Sequence, residues 1–259
     1  MAAREKDVIV YRYDPSKKYF LVSLHLDNKP GALGNIANVL AIRDINILEG
    51  FFGGMGYDSK ATVSFYVESA NKRIDENWIK DFLKTSVYVT DLEVKPATEG
   101  YLTDTLNFPL RWNSGERAIL MSSLGLRALL DSMKSVNQGS GDATIHSHGF
   151  SYGKAAWENL LSGFRPKTKE GFAEMLGIYS ALGWGRPELV DIDLNKRKAK
   201  VRLRDSFECE GMNTGEPECN FVKGHISAAF STFFGGYVRA TEKKCVSKGD
   251  EFCEFEISP

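Results

Sequence analysis

Three cysteines and a glutamate near the end of the chain have the residue types of a metal site. Thiolates and carboxylates are ligands of tetrahedral zinc, and a site with four protein ligands and no open position is structural. The sequence therefore predicts one structural Zn²⁺ ion per chain. Four reduced cysteines, two of them in the core, are the alternative interpretation. The predicted ligands are Cys219, Glu242, Cys245 and Cys253.

The stretches between these residues predict the elements that position them. A helix should follow Cys219, because apolar residues recur there at helical spacing up to Gly235. A strand should then lead through Glu242 to Cys245, and a turn at Lys248–Asp250 should return the chain through Cys253. The two later cysteines would then face each other across a hairpin, with Cys219 brought to them by the first turn of the helix.

The order and spacing of these four residues, with the flanking GEPEC and GDEFCEFEI sequences, resemble the 4-vinyl reductase (V4R) domain. The resemblance covers roughly residues 103–259. This module also forms part of the phenol- and toluene-sensing region of bacterial aromatic-responsive activators. The resemblance implies a zinc site on the four matching positions and a cavity for a hydrophobic or aromatic ligand beside it.

Cys209 lies close to this set in the sequence but outside the pattern of the resembling family. Two interpretations are open. It is a free thiol, or it replaces Glu242 and completes a site with four thiolates. On the sequence alone we favour the free thiol.

Composition sets the broad class of the protein. The chain has 259 residues and a net charge of −1, which suits two domains and does not favour nucleic acid as a partner. We find no apolar signal core and no apolar run of membrane-spanning length, so we expect a cytoplasmic protein without a membrane partner. Four clustered cysteines in a chain of this size indicate metal or redox chemistry rather than a disulfide scaffold.

Residues 19–95 predict strands and helices in the order βαββαβ, the ferredoxin-like arrangement. Alternation marks a strand over YFLVSLHLD, Pro30 suits the first turn of a helix, and Asp75 can cap a second helix. With the segment DNKPGALGNIANVLA, this region resembles an ACT domain, the regulatory module of amino-acid metabolism.

The ACT resemblance implies an amino-acid effector at the loop between the first strand and the first helix, usually at a homodimer interface. We expect a homodimer because a sheet with helices on one side leaves its other face and its edges open. A turn that merely fits glycine, with no functional site, is the alternative. The loop residues are Asp27, Asn28, Pro30, Gly31, Ala32 and Leu33.

The predicted organisation is a lead (1–18), the ACT domain (19–95), a linker (96–104) and an α+β domain (105–259) of helices packed on a small antiparallel sheet. In the last domain we expect helices over Glu116–Ser135, residues 143–164 and Glu170–Leu182. In the first of these helices we predict six buried residues, Ile119, Leu120, Leu124, Leu126, Leu129 and Leu130.

Aromatic residues crowd the middle of this domain and predict a ligand pocket. The resembling sensors hold the phenol hydroxyl with a histidine and a tryptophan. Here Leu203 stands at the tryptophan position, and the helix Phe172–Leu182 contains no histidine, so we expect a larger or less polar ligand. The predicted pocket residues are His148, Phe150, Tyr152, Trp157, Phe172, Tyr179, Trp184 and Leu203.

These features predict a regulatory sensor that acts on a downstream protein partner. Because the chain ends at Pro259, we expect no DNA-binding output domain. We find no nucleophile elbow, HExxH or dinucleotide fingerprint, so an enzyme is not the favoured interpretation. Two alternatives stay open, an enzyme or accessory factor of tetrapyrrole or aromatic metabolism, and a scaffold related to vesicle-tethering subunits.

Overall fold

The protein, seen here in a computed structural model, divides into two compact units, Met1–Leu110 and Arg111–Pro259. The structure describes residue 8 and residues 11–53, 59–71, 73–112, 115–136, 139–160 and 164–259. Of the predicted lead, residues 1–7 and 9–10 therefore lie outside the described residues. The predicted domain limits at 95 and 105 stay predictions beside this division.

The first unit is a sheet with two helices. It contains, in chain order, β1 (Tyr11–Tyr13), β2 (Tyr19–Asp27), α1 (Ala32–Ala41), β3 (Ile45–Gly53), β4 (Lys60–Ser69), α2 (Glu76–Leu83), β5 (Val89–Pro96) and β6 (Tyr101–Thr103). Four strands form an antiparallel sheet in the order β3-β4-β2-β5. This is the βαββαβ arrangement that the sequence predicts.

Local sequence accounts for the elements of this unit. Alternation along β2 places Phe20, Val22 and Leu24 on the face that packs against the two helices. The Asp75 carboxylate accepts a hydrogen bond from the Trp78 N–H at 2.8 Å, which caps α2. The register of β5 against β2 shifts between His25 and Leu26, which pair with Asp91 and Val89.

The second face of this sheet is covered over part of its area, so the expectation of an open face holds only for the rest, where His25 and Phe51 are exposed. Leu102 on β6 is fully buried in a cluster with Tyr19, Leu21 and Tyr66. β6 reaches this position as half of a two-stranded ribbon with β1. The covered part no longer argues for a dimer, and the predicted homodimer depends on the remaining open area and on the sheet edges β3 and β5.

The second unit packs helices on another antiparallel sheet. It contains α3 (Ser123–Val136), α4 (Gly141–Leu160), α5 (Lys169–Leu176), α6 (Ile178–Ala181), β7 (Arg186–Asp193), β8 (Lys198–Arg204), α7 (Asn220–Phe234), β9 (Arg239–Lys244), a 3-10 turn (Val246–Lys248) and β10 (Cys253–Ser258). Its strand order is β7-β8-β10-β9. With two such sheets and their helices, the predicted α+β class is confirmed.

Two helix predictions in this unit need correction. The predicted helix Glu116–Ser135 begins only at Ser123, and of its six predicted buried residues only Leu130 is buried and Leu126 partly so. Ile119 and Leu124 are 75% and 69% exposed. The prediction failed because helical spacing identifies an apolar stripe but does not show whether another element packs against it. The predicted helix Glu170–Leu182 is divided at Gly177, whose N–H bonds to the Glu174 carbonyl three residues back and tightens the turn. Residues 161–163 of the helix predicted at 143–164 lie outside the described part.

Helix α7 is the centre of the second unit and packs closely on α4. It is buried on all sides from Val222 to Phe230 except at Lys223, whereas the sequence predicted a single apolar face. Glycines make this possible: a Cβ at Gly149 would lie 2.1 Å from the Phe221 carbonyl oxygen, and one at Gly224 would lie 2.1 Å from that of His146. The two backbones therefore touch where neither helix has a side chain.

Candidate functional site

Five possible metal ligands converge in the second unit. Their ligand atoms all lie within 4.8 Å of one another. Two come from the loop between β8 and α7, two from β9 and the residue after it, and one from the start of β10. The predicted set is brought together, and one residue is added to it. The five are Cys209, Cys219, Glu242, Cys245 and Cys253.

The sulfur atoms have the spacing of a tetrahedral metal site. Cys209 Sγ lies 3.4 Å from Cys245 Sγ, and Cys219 Sγ lies 3.4 Å from Cys253 Sγ. Cys253 Sγ lies 3.9 Å from Cys209 Sγ and 3.8 Å from Cys245 Sγ. Sulfurs bound to one tetrahedral zinc at about 2.3 Å lie about 3.8 Å apart. The donor set therefore fits zinc.

The electrostatics of the cluster also fit a cation. Both carboxylate oxygens of Glu242 are buried and have no hydrogen-bond partner among the described residues. Burial raises the pKa of Glu242 to about 9. Hydrogen bonding from the neighbouring thiols, Cys209 first, lowers the pKa of Cys245, so negative charge collects on sulfur. A bound cation would compensate this charge.

A buried glutamate fixes the start of α7 at the cluster. The Glu208 carboxylate accepts hydrogen bonds from the N–H groups of Phe221 and Val222 at 2.8 and 2.9 Å. These are N–H groups of the first helical turn, which have no partner within the helix. Because Glu208 directly precedes Cys209, and Cys219 is the N-cap of α7, this contact sets the position of both thiols.

The hairpin prediction for the later cysteines holds, with an added turn. Cys245 directly follows β9 and is the N-cap of the 3-10 turn, and its N–H donates to the Asp250 carboxylate at 2.9 Å. Ser247 Oγ lies 2.9 Å from Cys245 Sγ and donates to the Glu216 carbonyl at 2.6 Å. These contacts hold the Cys245 thiol against Cys253 at the start of the returning strand.

A second cluster surrounds His225 on α7, two turns after Cys219. The His225 Nδ1 and the Tyr179 hydroxyl share a hydrogen bond of 2.7 Å inside the core. The rings of Trp184, Tyr179, Trp157 and Tyr152 lie with their centroids 4.9, 5.3, 5.5 and 5.7 Å from that of His225. Trp157 Nε1 is buried without a hydrogen-bond partner among the described residues. We call this group the aromatic cluster.

The structure separates the predicted pocket residues into groups. Four belong to the aromatic cluster, namely Tyr152, Trp157, Tyr179 and Trp184. Phe172 packs instead with Phe230, Phe233 and Phe234, and Phe150 packs with Tyr237. His148 is exposed, and Leu203 is buried on β8 opposite Cys253.

Sequence reasoning missed His225 and set Cys209 aside. From the sequence alone, His225 is predicted to be a packed or surface residue. The feature that could have singled it out is that it is a lone polar ring within an apolar helix. The signal for Cys209 was its closeness in sequence to the metal pattern. Both are placed by contacts of α7, which no local pattern reveals.

The predicted effector loop of the first unit leads into α1. Asp27 ends β2, Asn28 and Pro30 follow it, and Gly31 is the N-cap of α1 with φ of 88°, a backbone conformation that suits glycine. A Cβ at Gly31 would meet nothing within 4 Å, so the helix start faces open space there. Ala32 is buried, and Leu33 packs partly on the core.

The titration of His225 should make stability depend on pH. Burial lowers the pKa of His225 from 6.5 to about 3. The unfolded chain therefore takes up this proton first, so the contribution is complete above about pH 6.5 and is lost as pH falls towards 3. The loss is at most about 1.4 kcal/mol per pH unit.

We expect His225→Asn, which cannot titrate, to lack this dependence. The free energy of unfolding of both chains should be measured by urea titration between pH 7 and pH 4. As pH falls, the free energy of unfolding of His225→Asn should rise relative to that of wild type. His148→Asn, the same substitution at an exposed histidine, is the matched control. A parallel His225→Asn curve would refute the assignment.

Comparison with known proteins locates a family match at the metal cluster. Residues 199–259 match the family model described as the V4R domain. This range contains all five possible ligands and His225. The resemblance to the 4-vinyl reductase domain is therefore confirmed for residues 199–259, and the ACT resemblance stays a prediction.

Two relatives are uncharacterized proteins of Methanocaldococcus jannaschii. MJ1642 is 29% identical over 87 residues, which are 33% of this chain and 52% of that protein. MJ0150 is 30% identical over 111 residues, 42% of this chain and 61% of that protein. The chain thus spans between about half and three fifths of the length of these relatives.

Among solved structures, the chain is similar to the phenol-responsive sensory domain of the transcription activator PoxR in complex with phenol. The identity is 23%, the match covers 56% of this chain and 78% of that one, and the TM-score is 0.47.

None of the helices in the described ranges combines the length and the apolar character needed to cross a bilayer.

Proposed function

We propose that the chain is a regulatory sensor of a small hydrophobic or aromatic molecule, bound at the aromatic cluster of the second unit. The observation that carries this proposal is a polar core inside an aromatic shell. His225 and Tyr179 bond to each other, and Trp157 Nε1 is a buried donor without a partner among the described residues. Sites for small apolar molecules have this composition, ring surface with a few orienting polar atoms. The V4R match at residues 199–259 supports the same proposal.

The cluster defines the chemistry of the ligand. A tryptophan N–H is a donor only, so the ligand should carry an acceptor oxygen, such as a carbonyl or a hydroxyl. The rest of the ligand should be apolar and uncharged, because a charge without a partner in such a site is costly. Tyr152 is 47% exposed and stacks on the partly exposed Trp184, which makes this pair the outer side of the cluster and the expected entrance.

The metal centre fixes the position of the helix that carries part of this site. Zinc would join the N-terminus of α7 to the hairpin of β9 and β10, and with four protein ligands it has no position for a substrate. His225 lies six residues after Cys219 on the same helix. In this proposal, ligand binding acts on α7, and through it on the surface that a downstream protein partner contacts.

The test uses the full chain and aromatic compounds that bear one hydroxyl or carbonyl group. Trp157→Phe keeps a ring and removes the N–H, and should weaken binding about tenfold or more, since losing one partner of a buried hydrogen bond costs about 1–3 kcal/mol. Trp78→Phe, in the first unit, is the matched control. Calorimetric titration gives both affinities. Binding that is equal in the two variants, or absent from wild type, would exclude this site.

For the first unit we propose an ACT-type role, with an amino acid at the Asp27–Leu33 loop and a homodimer through the sheet edges. The open space beside Gly31 at the start of α1 supports it, because helix N-termini offer N–H groups to a carboxylate. Calorimetric titration of the full chain with each amino acid should give one that binds, and sedimentation should give a dimer. A monomer that binds no amino acid would contradict this role.

A further inference from the structure

The position of Cys209 bears on which side chains hold the metal. Cys209 is 1% exposed, and its sulfur lies 3.4 Å from that of Cys245 and 3.9 Å from that of Cys253. Both separations are close to the edge of a four-sulfur tetrahedron around zinc, about 3.8 Å. An ion placed at equal distances from the other three sulfurs therefore has the Cys209 thiol within reach.

The chain segment that carries Cys209 is fixed on both sides. The Phe207 N–H donates to the Trp184 carbonyl at 3.1 Å, and the Met212 N–H donates to the Cys209 carbonyl at 3.1 Å. Between them, Glu208 is hydrogen-bonded to the first turn of α7. A cysteine side chain has one torsion angle before its sulfur, so in this fixed segment the thiol has little freedom to leave the cluster.

Glu242 has the freedom that Cys209 lacks. Its residue is partly exposed on β9, and its longer side chain has three torsion angles, which can turn the carboxylate towards solvent. Turning outward would also give its two oxygens the partners that they lack among the described residues. An ion with four thiolates is complete, since structural zinc is four-coordinate.

We propose that the metal centre is a four-thiolate site in which Cys209, not Glu242, is the fourth ligand. The assignment rests on the structural zinc proposed above and goes beyond it by naming the ligand set. The ligands are Cys209, Cys219, Cys245 and Cys253. Glu242 stands beside the complete site and can take the place of Cys209 alone, because the other three thiolates then stay bound.

X-ray absorption at the zinc edge, on the full chain purified with zinc, counts the ligand atoms. We expect four sulfurs at about 2.3 Å in wild type. Glu242→Gln should leave this shell unchanged. Cys209→Ser should give three sulfurs and one oxygen at about 2.0–2.2 Å, because Glu242 then enters the site. Measured zinc content should stay at one ion per chain in all three proteins.

Three results would overturn the assignment. Wild type with three sulfurs and one oxygen would make Glu242 the ligand and leave the structural zinc in place. A shell that changes in Glu242→Gln would do the same. No zinc in any of the proteins would remove the metal itself, and with it both this assignment and the proposed positioning of α7 by the metal. If Cys209→Ser does not fold, the wild-type and Glu242→Gln spectra still decide.

Discussion

Replacing Cys253 by serine should remove the metal and unfold much of the second unit. Cys253 Sγ lies within 3.9 Å of the other three sulfurs of the cluster, with those of Cys219, Cys209 and Cys245 at 3.4, 3.9 and 3.8 Å. Structural zinc supplies about 10–16 kcal/mol in zinc-finger peptides, whereas a whole domain is typically stable by about 5–15 kcal/mol. The loss is therefore comparable with the whole stability of this unit.

Calorimetry and hydrogen exchange would follow this loss. We expect amides of α7, β9 and β10 to lose protection, while the sheet of the first unit, which has its own core, keeps it. A chelator should have the same effect on wild type, and added zinc should reverse it there but not in Cys253→Ser. Thr241→Ser, at an exposed hydroxyl on β9, is the control. Wild-type melting in Cys253→Ser would exclude a structural metal.

The contact between α4 and α7 should be the second most sensitive feature. Gly149→Ala places a Cβ 2.1 Å from the Phe221 carbonyl oxygen, and Gly224→Ala places one 2.1 Å from the His146 carbonyl oxygen. Neither neighbour is a flexible side chain, so the two helices must separate. Overpacking of this kind costs about 1–3 kcal/mol, despite the higher helix propensity of alanine.

An exposed helical glycine in the same unit gives the control. At Gly125 on α3, an added Cβ would meet only the Ser122 hydroxyl, at 3.2 Å. Gly125→Ala should therefore be neutral or stabilise by up to about 1 kcal/mol. Urea unfolding of the three variants measures the difference. If Gly149→Ala and Gly224→Ala were as stable as Gly125→Ala, the close approach of the helices would be wrong.

Local patterns in the sequence predict the elements whose neighbours are also local. The strand predicted over YFLVSLHLD is β2 itself, and the Asp75 cap forms as expected, because alternation and capping act within a few residues. The types of the possible metal ligands and the hairpin that carries the later cysteines are also predicted from local patterns. For the same reason, the order of strands and helices in the first unit follows from the sequence.

Features set by distant contacts could not be predicted. Cys209 reaches the cluster because Glu208 is hydrogen-bonded to the start of α7. The sequence does not show which groups a carboxylate will bond to. His225 is central because glycines let α4 approach α7, which buries the helix from Val222 to Phe230 except at Lys223. For the apolar residues before and along α3 the prediction was wrong in the other direction. Helical spacing predicted that Ile119 and Leu124 are buried, and the structure exposes them.

Native mass spectrometry of the full chain, freshly purified without chelator, tests the central claim most directly. The claim is that the second unit is built around one zinc ion and holds a small hydrophobic molecule at the aromatic cluster. The account predicts the mass of the chain plus one zinc, with a fraction carrying an additional neutral organic molecule that Trp157→Phe reduces. The bare mass of the chain, with neither zinc nor an organic molecule in any fraction, would contradict it.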